Sequence, residues 1–287
     1  MGAIDGGTMH HRLIALSTAL ALIAAACSGS SGSTQAAPSA PDAPDGAAAA
    51  AGAPAGANCP TEGAEWETAL LYIEHNAADE DTGVHGLFGG AAWSELCIWD
   101  PNGELILVTE PLGQLKDLTV ADLFFESREP SNTEVAIEEI FAAFPEGEYR
   151  VAGTDFEGVA RVGGAVFTHR LPAEPDITAP ALAEDPETAA AIPAAGVVVR
   201  WEPVTETLGG DPVRIAAYEV IVTKENHEDP DARSRPVYNV HVAPGASSLS
   251  VPDEFFEPGE VYELEVIAIE ESGNQTIGLG FFATAGA

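Results

Sequence analysis

The densest group of residues able to do chemistry is Glu74-His75-Asn76, followed by Asp79-Glu80-Asp81-Thr82-Gly83 and then His85. Asp-x-Asp-x-Gly resembles the start of a calcium loop, where oxygen ligands alternate along the backbone and glycine permits a sharp turn. Counting Asp79 as the first ligand puts Val84 at the sixth position and Gly90 at the twelfth. An EF-hand needs glycine and a bidentate glutamate there, so that loop is excluded. A looser Ca²⁺ site built on Asp79 and Asp81 remains as an expectation, against the plainer one of a solvated turn between strands. His75 and His85 could meet across a hairpin and hold Zn²⁺ with an acid, though two surface histidines are the simpler expectation. Gly-x-Ser-x-Gly, His-Glu-x-x-His and phosphate-cradling glycine loops do not occur, so the residues point away from an enzyme. Trp93 and Trp99, six apart and with Cys97 between them, are expected on one face of one strand. They would form either a sugar- or peptide-binding platform or, with a disulfide there, a buried face. Asn274-Gln275-Thr276 has the form of a glycosylation sequon.

These residues need strands to carry them, and alternation supplies candidates. Glu67 to His75 alternates Leu71 and Ile73 with Tyr72 and Glu74, and Ala92 to Trp99 is rich in Trp, Leu and Ile. Asp100-Pro101-Asn102-Gly103 makes a turn, because proline presets φ and Asn-Gly tolerates positive φ, and Leu105 to Thr109 returns as the partner strand. One short helix is expected after Thr119, with Asp122 in its first turn. Another is expected after Thr133, with Ile137, Ile140, Phe141 and Phe144 on one face and Pro145 ending it. Glu148 to Ala152 and Val159 to Phe167 complete the first region. Gly163-Gly164 within a strand pattern implies a bulge or close backbone packing.

A Pro-rich joint with Pro172, Pro175 and Pro180 leads to a second region of clearer strands. These are Val197 to Trp201, Tyr218 to Val222, Val237 to Val242, Ser248 to Val251, Tyr262 to Ala268 and Leu279 to Thr284. Short strands at regular spacing over roughly 100 residues imply a β-sandwich. Trp201 in VVVRWEPV, Tyr218 in AAYEVIV and the run SSLSVPDEFFEPGEVYELEVIAIEESGNQT resemble a fibronectin type III domain over nearly the whole region. The resemblance implies that Trp201 packs between the sheets and that Tyr262 makes a corner hydrogen bond, with Tyr218 a further structural residue. Phe144-Pro145-Glu146-Gly147-Glu148-Tyr149 echoes Glu257-Pro258-Gly259-Glu260-Val261-Tyr262, which suggests an immunoglobulin-like sandwich for the first region too. The fold class expected is therefore mainly β, with two β-sandwich domains.

Leu13 to Ala26 is an apolar run of about 14 residues after His10-His11-Arg12, shorter than the roughly 20 needed to span a bilayer. Its end, Ala24-Ala25-Ala26-Cys27, resembles the bacterial lipobox, with Ala24 where that pattern prefers leucine. The resemblance implies lipidation of Cys27 with more than one acyl chain, enough for stable anchoring. Ser28, where an inner-membrane retention signal would place aspartate, favours the outer membrane. Residues 28 to 58 lack aromatic and large aliphatic side chains and read as a disordered tether with a mean reach of about 30 Å. The expected organisation is a signal peptide at 1–26, a lipidated tether at 27–58, a β-rich domain at 59–171, a linker at 172–179 and a fibronectin type III-like domain at 180–287.

Loss of residues 1–26 removes one acid, Asp5, and one base, Arg12, so the net charge stays at −35. That charge repels phosphate backbones and anionic lipid, so no nucleic-acid partner is expected and the lipid must supply the membrane attachment. It also serves as a solubilising surface. Cys59 and Cys97 are left to form one disulfide in an oxidising compartment, or to stay as separate thiols. The function expected is non-catalytic binding or scaffolding of proteins or polysaccharides at the cell surface or in the periplasm, with no cofactor beyond possible Ca²⁺. The alternatives are an accessory module of extracellular polymer degradation and a hydrolase using acids of the first domain.

Overall fold

The computed structural model describes residues 59–226 and 235–286. Cys27, the apolar run before it and the tether lie outside the described residues. Among the described residues no helix is long and apolar enough to cross a membrane.

The first lobe contains β1 (Ala64–Glu65), β2 (Thr68–Asn76), β3 (Asp81–Trp99) and β4 (Leu105–Thr109). It continues with α1 (Gln114–Leu118), β5 (Val120–Glu126), α2 (Ile137–Ala143), β6 (Gly147–Asp155) and β7 (Ala160–Phe167). The long β3 serves two layers. Its first half pairs with β2 and β5, its second half with β4 and β6, and β7 adds to β6. Leu71, Ile73, Val84 and Phe88 from the first layer meet Leu96, Ile98, Tyr149, Val151, Ala165 and Phe167 from the second in one core, with Ile140 of α2 against it. Each valine, leucine, isoleucine or phenylalanine among them is worth roughly 1.5–3 kcal/mol by burial. Trp66 lies over Gly153 and Gly163, where a Cβ would come within 2.6 and 2.8 Å of it, and a Cβ at Gly164 would meet the Glu148 carboxylate at 2.5 Å, so the Gly163-Gly164 pair marks close packing and no bulge.

Two local expectations fail here. The segment after Thr119 is strand β5, and the helix precedes that residue; Thr119 ends α1 at φ 63°. Phe124 and Phe125 gain cross-strand partners on β3 that an isolated turn of helix would not offer. Trp93 and Trp99 do not share a face. The register slips between Trp93 and Glu95, so Trp93 joins the core while Cys97 and Trp99 lie on the outer side. An extra residue in one strand reverses the alternation beyond it.

The second lobe contains β8 (Ile177–Ala179), β9 (Ala191–Ile192), β10 (Val198–Trp201), β11 (Ile215–Lys224) and β12 (Val237–Val242). After these come β13 (Ser248–Ser250), β14 (Val261–Glu270) and β15 (Gln275–Thr284). A three-stranded layer, β13-β10-β8, faces a four-stranded one, β15-β14-β11-β12. Trp201, Tyr218, Val220, Val222, Tyr262, Leu264, Val266 and Phe282 fill the space between. The chain is thus mainly β, and this lobe has the seven-stranded sandwich arrangement of the fibronectin type III fold. The 172–179 stretch contributes β8 to it.

The lobes share a sheet. β15 runs parallel to β2, with Gln275 opposite Glu74, Thr276 opposite His75 and Ile277 opposite Asn76. Just before this ladder, Asn274 is 1% exposed. Its Oδ1 accepts from the Ile73 N–H at 2.8 Å, and its Nδ2 donates to the Thr168 carbonyl at 2.9 Å and to Thr168 Oγ1 at 3.0 Å. The amide acts as one more rung of the seam. Its burial also removes it as a glycan acceptor, so the sequon reading gives way to a structural one. Thr276 Oγ1 donates to the Pro172 carbonyl at 2.7 Å, fixing the joint to the same strand.

Candidate functional site

Strand parity sorts the polar residues beside this seam. β2 turns Leu71, Ile73 and His75 inward, so Tyr72 and Glu74 face outward. The β2–β3 register places His85 opposite Tyr72 and Gly83 opposite Glu74, and β5 sets Glu126 opposite His85. Beyond β5 the chain returns and lays Glu129 over Gly83, where a Cβ would come within 2.6 Å of the Glu129 Cγ. Glycine at 83 is what admits that side chain.

The result is a cluster of Glu74, His85 and Glu129 whose donor atoms all lie within 4.8 Å of one another. His85 Nε2 is 2.9 Å from Glu129 Oε1 and 3.9 Å from Glu74 Oε1. The other Glu74 oxygen accepts from the Gln275 amide of the second lobe. Tyr72 and Phe124 stand edge-on to the imidazole, with ring centroids 5.2 and 5.8 Å away. Burial, reinforced by Glu129 and Glu126 and opposed by His85 and Gln275, pushes the Glu74 carboxyl up to about 7. For His85, burial works against the charge, but the Glu129 hydrogen bond and then the Glu74 charge raise its pKa on balance. Burial followed by the Glu129 charge raises Glu126 as well. Carboxylates therefore outnumber cations on a half-dry surface, an arrangement able to hold protons or a cation.

The other residues singled out from sequence occupy different places. Asp79 is exposed at the turn, where the Asn76 side chain accepts from the Ala78 and Asp79 N–H groups and donates to the Asp79 carboxylate at 3.0 Å. Asp81 is half-buried, and its carboxyl is pushed up to about 6 by burial and by Glu129, Asp79 and Glu126. The three-donor clusters among the described residues include neither aspartate. His75 and His85 lie on opposite faces of the β2–β3 hairpin and do not meet, and both are buried, not at the surface as expected. His75 Nδ1 sits 2.9 Å from the Asp81 carbonyl and from Thr82 Oγ1, a core histidine with a structural role.

Cys59 and Cys97 form a disulfide on the outer face of the first lobe. Glu95 lies beside them, but bonded sulfurs offer no thiolate to a metal. Arg150 lies 3.4 Å above the Trp99 ring and donates from Nη1 to the Pro60 carbonyl, pinning the start of the described chain to this face. Trp201 packs against Tyr218 with ring centroids 5.4 Å apart. The Tyr218 hydroxyl accepts from the Val204 N–H at 2.7 Å, and the Tyr262 hydroxyl accepts from the Glu257 N–H at 2.8 Å. Tyr149 donates to the Pro145 carbonyl at 3.1 Å, so both lobes have a tyrosine corner. Glu129 and Gln275 were missed from sequence; they stand 44 and 190 positions from His85, and no local pattern links them to it.

No protein-family model matches the chain, and no curated protein sequence does either. Solved structures that it resembles include the FN1–FN3 domains of chicken CNTN1, at 12% identity and a TM-score of 0.28, covering 78% of this chain and 67% of that one. The third fibronectin type III domain of human KIAA0343 is similar at 15% identity and a TM-score of 0.26, covering 41% of this chain and 82% of that one. A 1.5-MDa bacterial ice-binding adhesin, described for its retention at the host cell surface, matches at 16% identity and a TM-score of 0.24, covering 76% and 65%. At these scores the fold rests on the strand order and the tyrosine corners of this chain itself.

Proposed function

We propose that this chain is a lipid-anchored envelope protein with a non-catalytic binding or scaffolding role, held by an acylated Cys27 and offering its two lobes to protein or polysaccharide partners. The observation that carries the reading is the seam. A buried polar side chain is tolerated only where its hydrogen bonds are made, and Asn274 makes them across the two lobes. Joined by a shared sheet, the lobes keep one relative placement, as a spacer or presenting surface requires. The lipobox-like Ala24-Ala25-Ala26-Cys27 and the tether after it supply a leash for that body.

Mass spectrometry of protein taken from native membranes tests the anchor. The expected N-terminus is Cys27 bearing a diacylglyceryl thioether, with Cys27→Ala moving to the soluble fraction; a start elsewhere, or an unmodified thiol, removes the anchor. Screening the purified full chain against glycans, envelope polymers and chromogenic hydrolase substrates tests the role. Saturable binding without turnover is expected, and turnover by the purified chain would replace this reading with an enzyme.

A further inference from the structure

We propose that Glu74, His85 and Glu129 bind one divalent transition-metal ion, with Zn²⁺ as the representative case, on the outer face beside the seam. The donors come from β2, from β3 and from the segment after β5, and tertiary structure alone brings them within 4.8 Å of one another. With metal–nitrogen and metal–oxygen bonds near 2.1 Å, two ligands of a tetrahedral ion stand about 3.4 Å apart. The separations from His85 Nε2, 2.9 Å to Glu129 and 3.9 Å to Glu74, bracket that value, so each of these two distances reaches it by a sub-ångström side-chain shift.

Charge counting favours the ion over a simple ion pair. A protonated His85 balances Glu129 but leaves Glu74 only a proton of its own and the Gln275 amide to offset its charge, and the three side chains are only 5, 13 and 18% exposed, in the order His85, Glu129, Glu74. A divalent ion with a neutral imidazole balances both carboxylates. The supporting shell is in place as well. Gln275 holds the far oxygen of Glu74, Gly83 makes room for Glu129, and Tyr72 and Phe124 fix the imidazole plane. A nitrogen donor among the ligands selects a first-row transition ion over Ca²⁺. Glu126, opposite His85 on the same face, leaves the fourth position to itself or to solvent.

The test uses the full chain, stripped with chelator, in physiological salt with millimolar Ca²⁺ present to occupy the diffuse acidic surface. Calorimetric titration with Zn²⁺ should show one equivalent per chain, and Co²⁺ should give the visible spectrum of a tetrahedral ion with a nitrogen ligand. His85→Gln should weaken Zn²⁺ affinity about 100-fold and Glu129→Gln at least about 10-fold, while Asp79→Asn leaves it unchanged. Absence of a saturable equivalent, or wild-type affinity in both ligand variants, overturns the proposal. If His85→Gln does not fold, the nearly isosteric Glu129→Gln and the wild-type Co²⁺ spectrum decide in the same two directions.

Discussion

Replacing Asn274 by alanine should loosen the whole body, because one amide serves both lobes. Three hydrogen bonds go, from the Ile73 N–H and to the Thr168 carbonyl and hydroxyl. A typical net contribution is about 1 kcal/mol for each. The Ile73 N–H is left buried without its acceptor, which costs about 1–3 kcal/mol more. The total loss should therefore be about 4–6 kcal/mol, or roughly 15 °C in Tm for a body of this size. Differential scanning calorimetry is the direct assay, and the shape of the trace matters as much as its midpoint. With the seam weakened, the single transition should broaden or split as each sandwich melts on its own. Asn274→Asp should be no better: one oxygen still accepts from Ile73, but the other faces the Thr168 carbonyl. A single unbroadened transition within about 3 °C of wild type, corresponding to about 1 kcal/mol, would refute the role given to Asn274.

Serine at Cys59 and Cys97 together should lower stability by about 4 kcal/mol from loop entropy, read as a fall in the urea midpoint that reductant no longer deepens. Asp155 is buried and accepts from the Glu157 and Val159 N–H groups and from Arg161 Nε. Burial opposes its charge, yet the Val159, Arg161 and Glu157 hydrogen bonds hold its pKa below the usual carboxylate range. Its stabilisation is therefore present above about pH 4 and is lost as the pH falls through the lowered value. Asp155→Asn should cost about 2 kcal/mol at neutral pH, and the acid limb of the urea-midpoint curve should be flatter than in wild type. Glu265 runs the opposite way, since burial and then Glu263 raise it well above its ordinary value. Glu74, at about 7, and Asp81, at about 6, shift in the same direction. Groups raised in the fold stabilise it below their unfolded value and lose that contribution as the pH rises through the raised one. Chelator-treated protein should accordingly gain in Tm from pH 8 to pH 5, and Glu265→Gln should raise Tm at pH 8 while leaving it unchanged near pH 4.

The second lobe was open to reading from its residues because the face of each long strand that meets the other layer is apolar or aromatic. Tyr218, Val220 and Val222, like Tyr262, Leu264 and Val266, alternate with Glu219, Ile221, Glu263 and Glu265, mostly charged, and carry the period directly. The tyrosine corners were also legible, since a proline-glycine turn before a tyrosine is a local signal. The first half of β3 was not. Glycines at 83, 86 and 89 with acids around them lower β-propensity and read as a loop. The structure needs those glycines: a Cβ at Gly86 would come within 2.5 Å of the Phe125 ring, and one at Gly89 within 2.0 Å of the Asp122 carboxylate. The same logic hid the cluster. Glu74 and His85 belonged to the polar stretch noticed first, but parity, which sends His75 inward and His85 outward, depends on a hairpin register that only the folded neighbours fix. The slip at Ser94 is likewise a tertiary event with no signature along the chain.

The Cys59–Cys97 link has a mechanical consequence. Suppose the chain is held at its front end and the body is dragged by flow or by a bound partner. Tension then enters at residue 59 and crosses the sulfur bridge to Cys97, near the C-terminal end of the nineteen-residue β3, bypassing the two-residue β1 that would peel first. Load is spread over neighbours on both sides of β3 at once, as shear and not as unzipping. A reducing environment would move the point of loading to the weakest rung of the sheet.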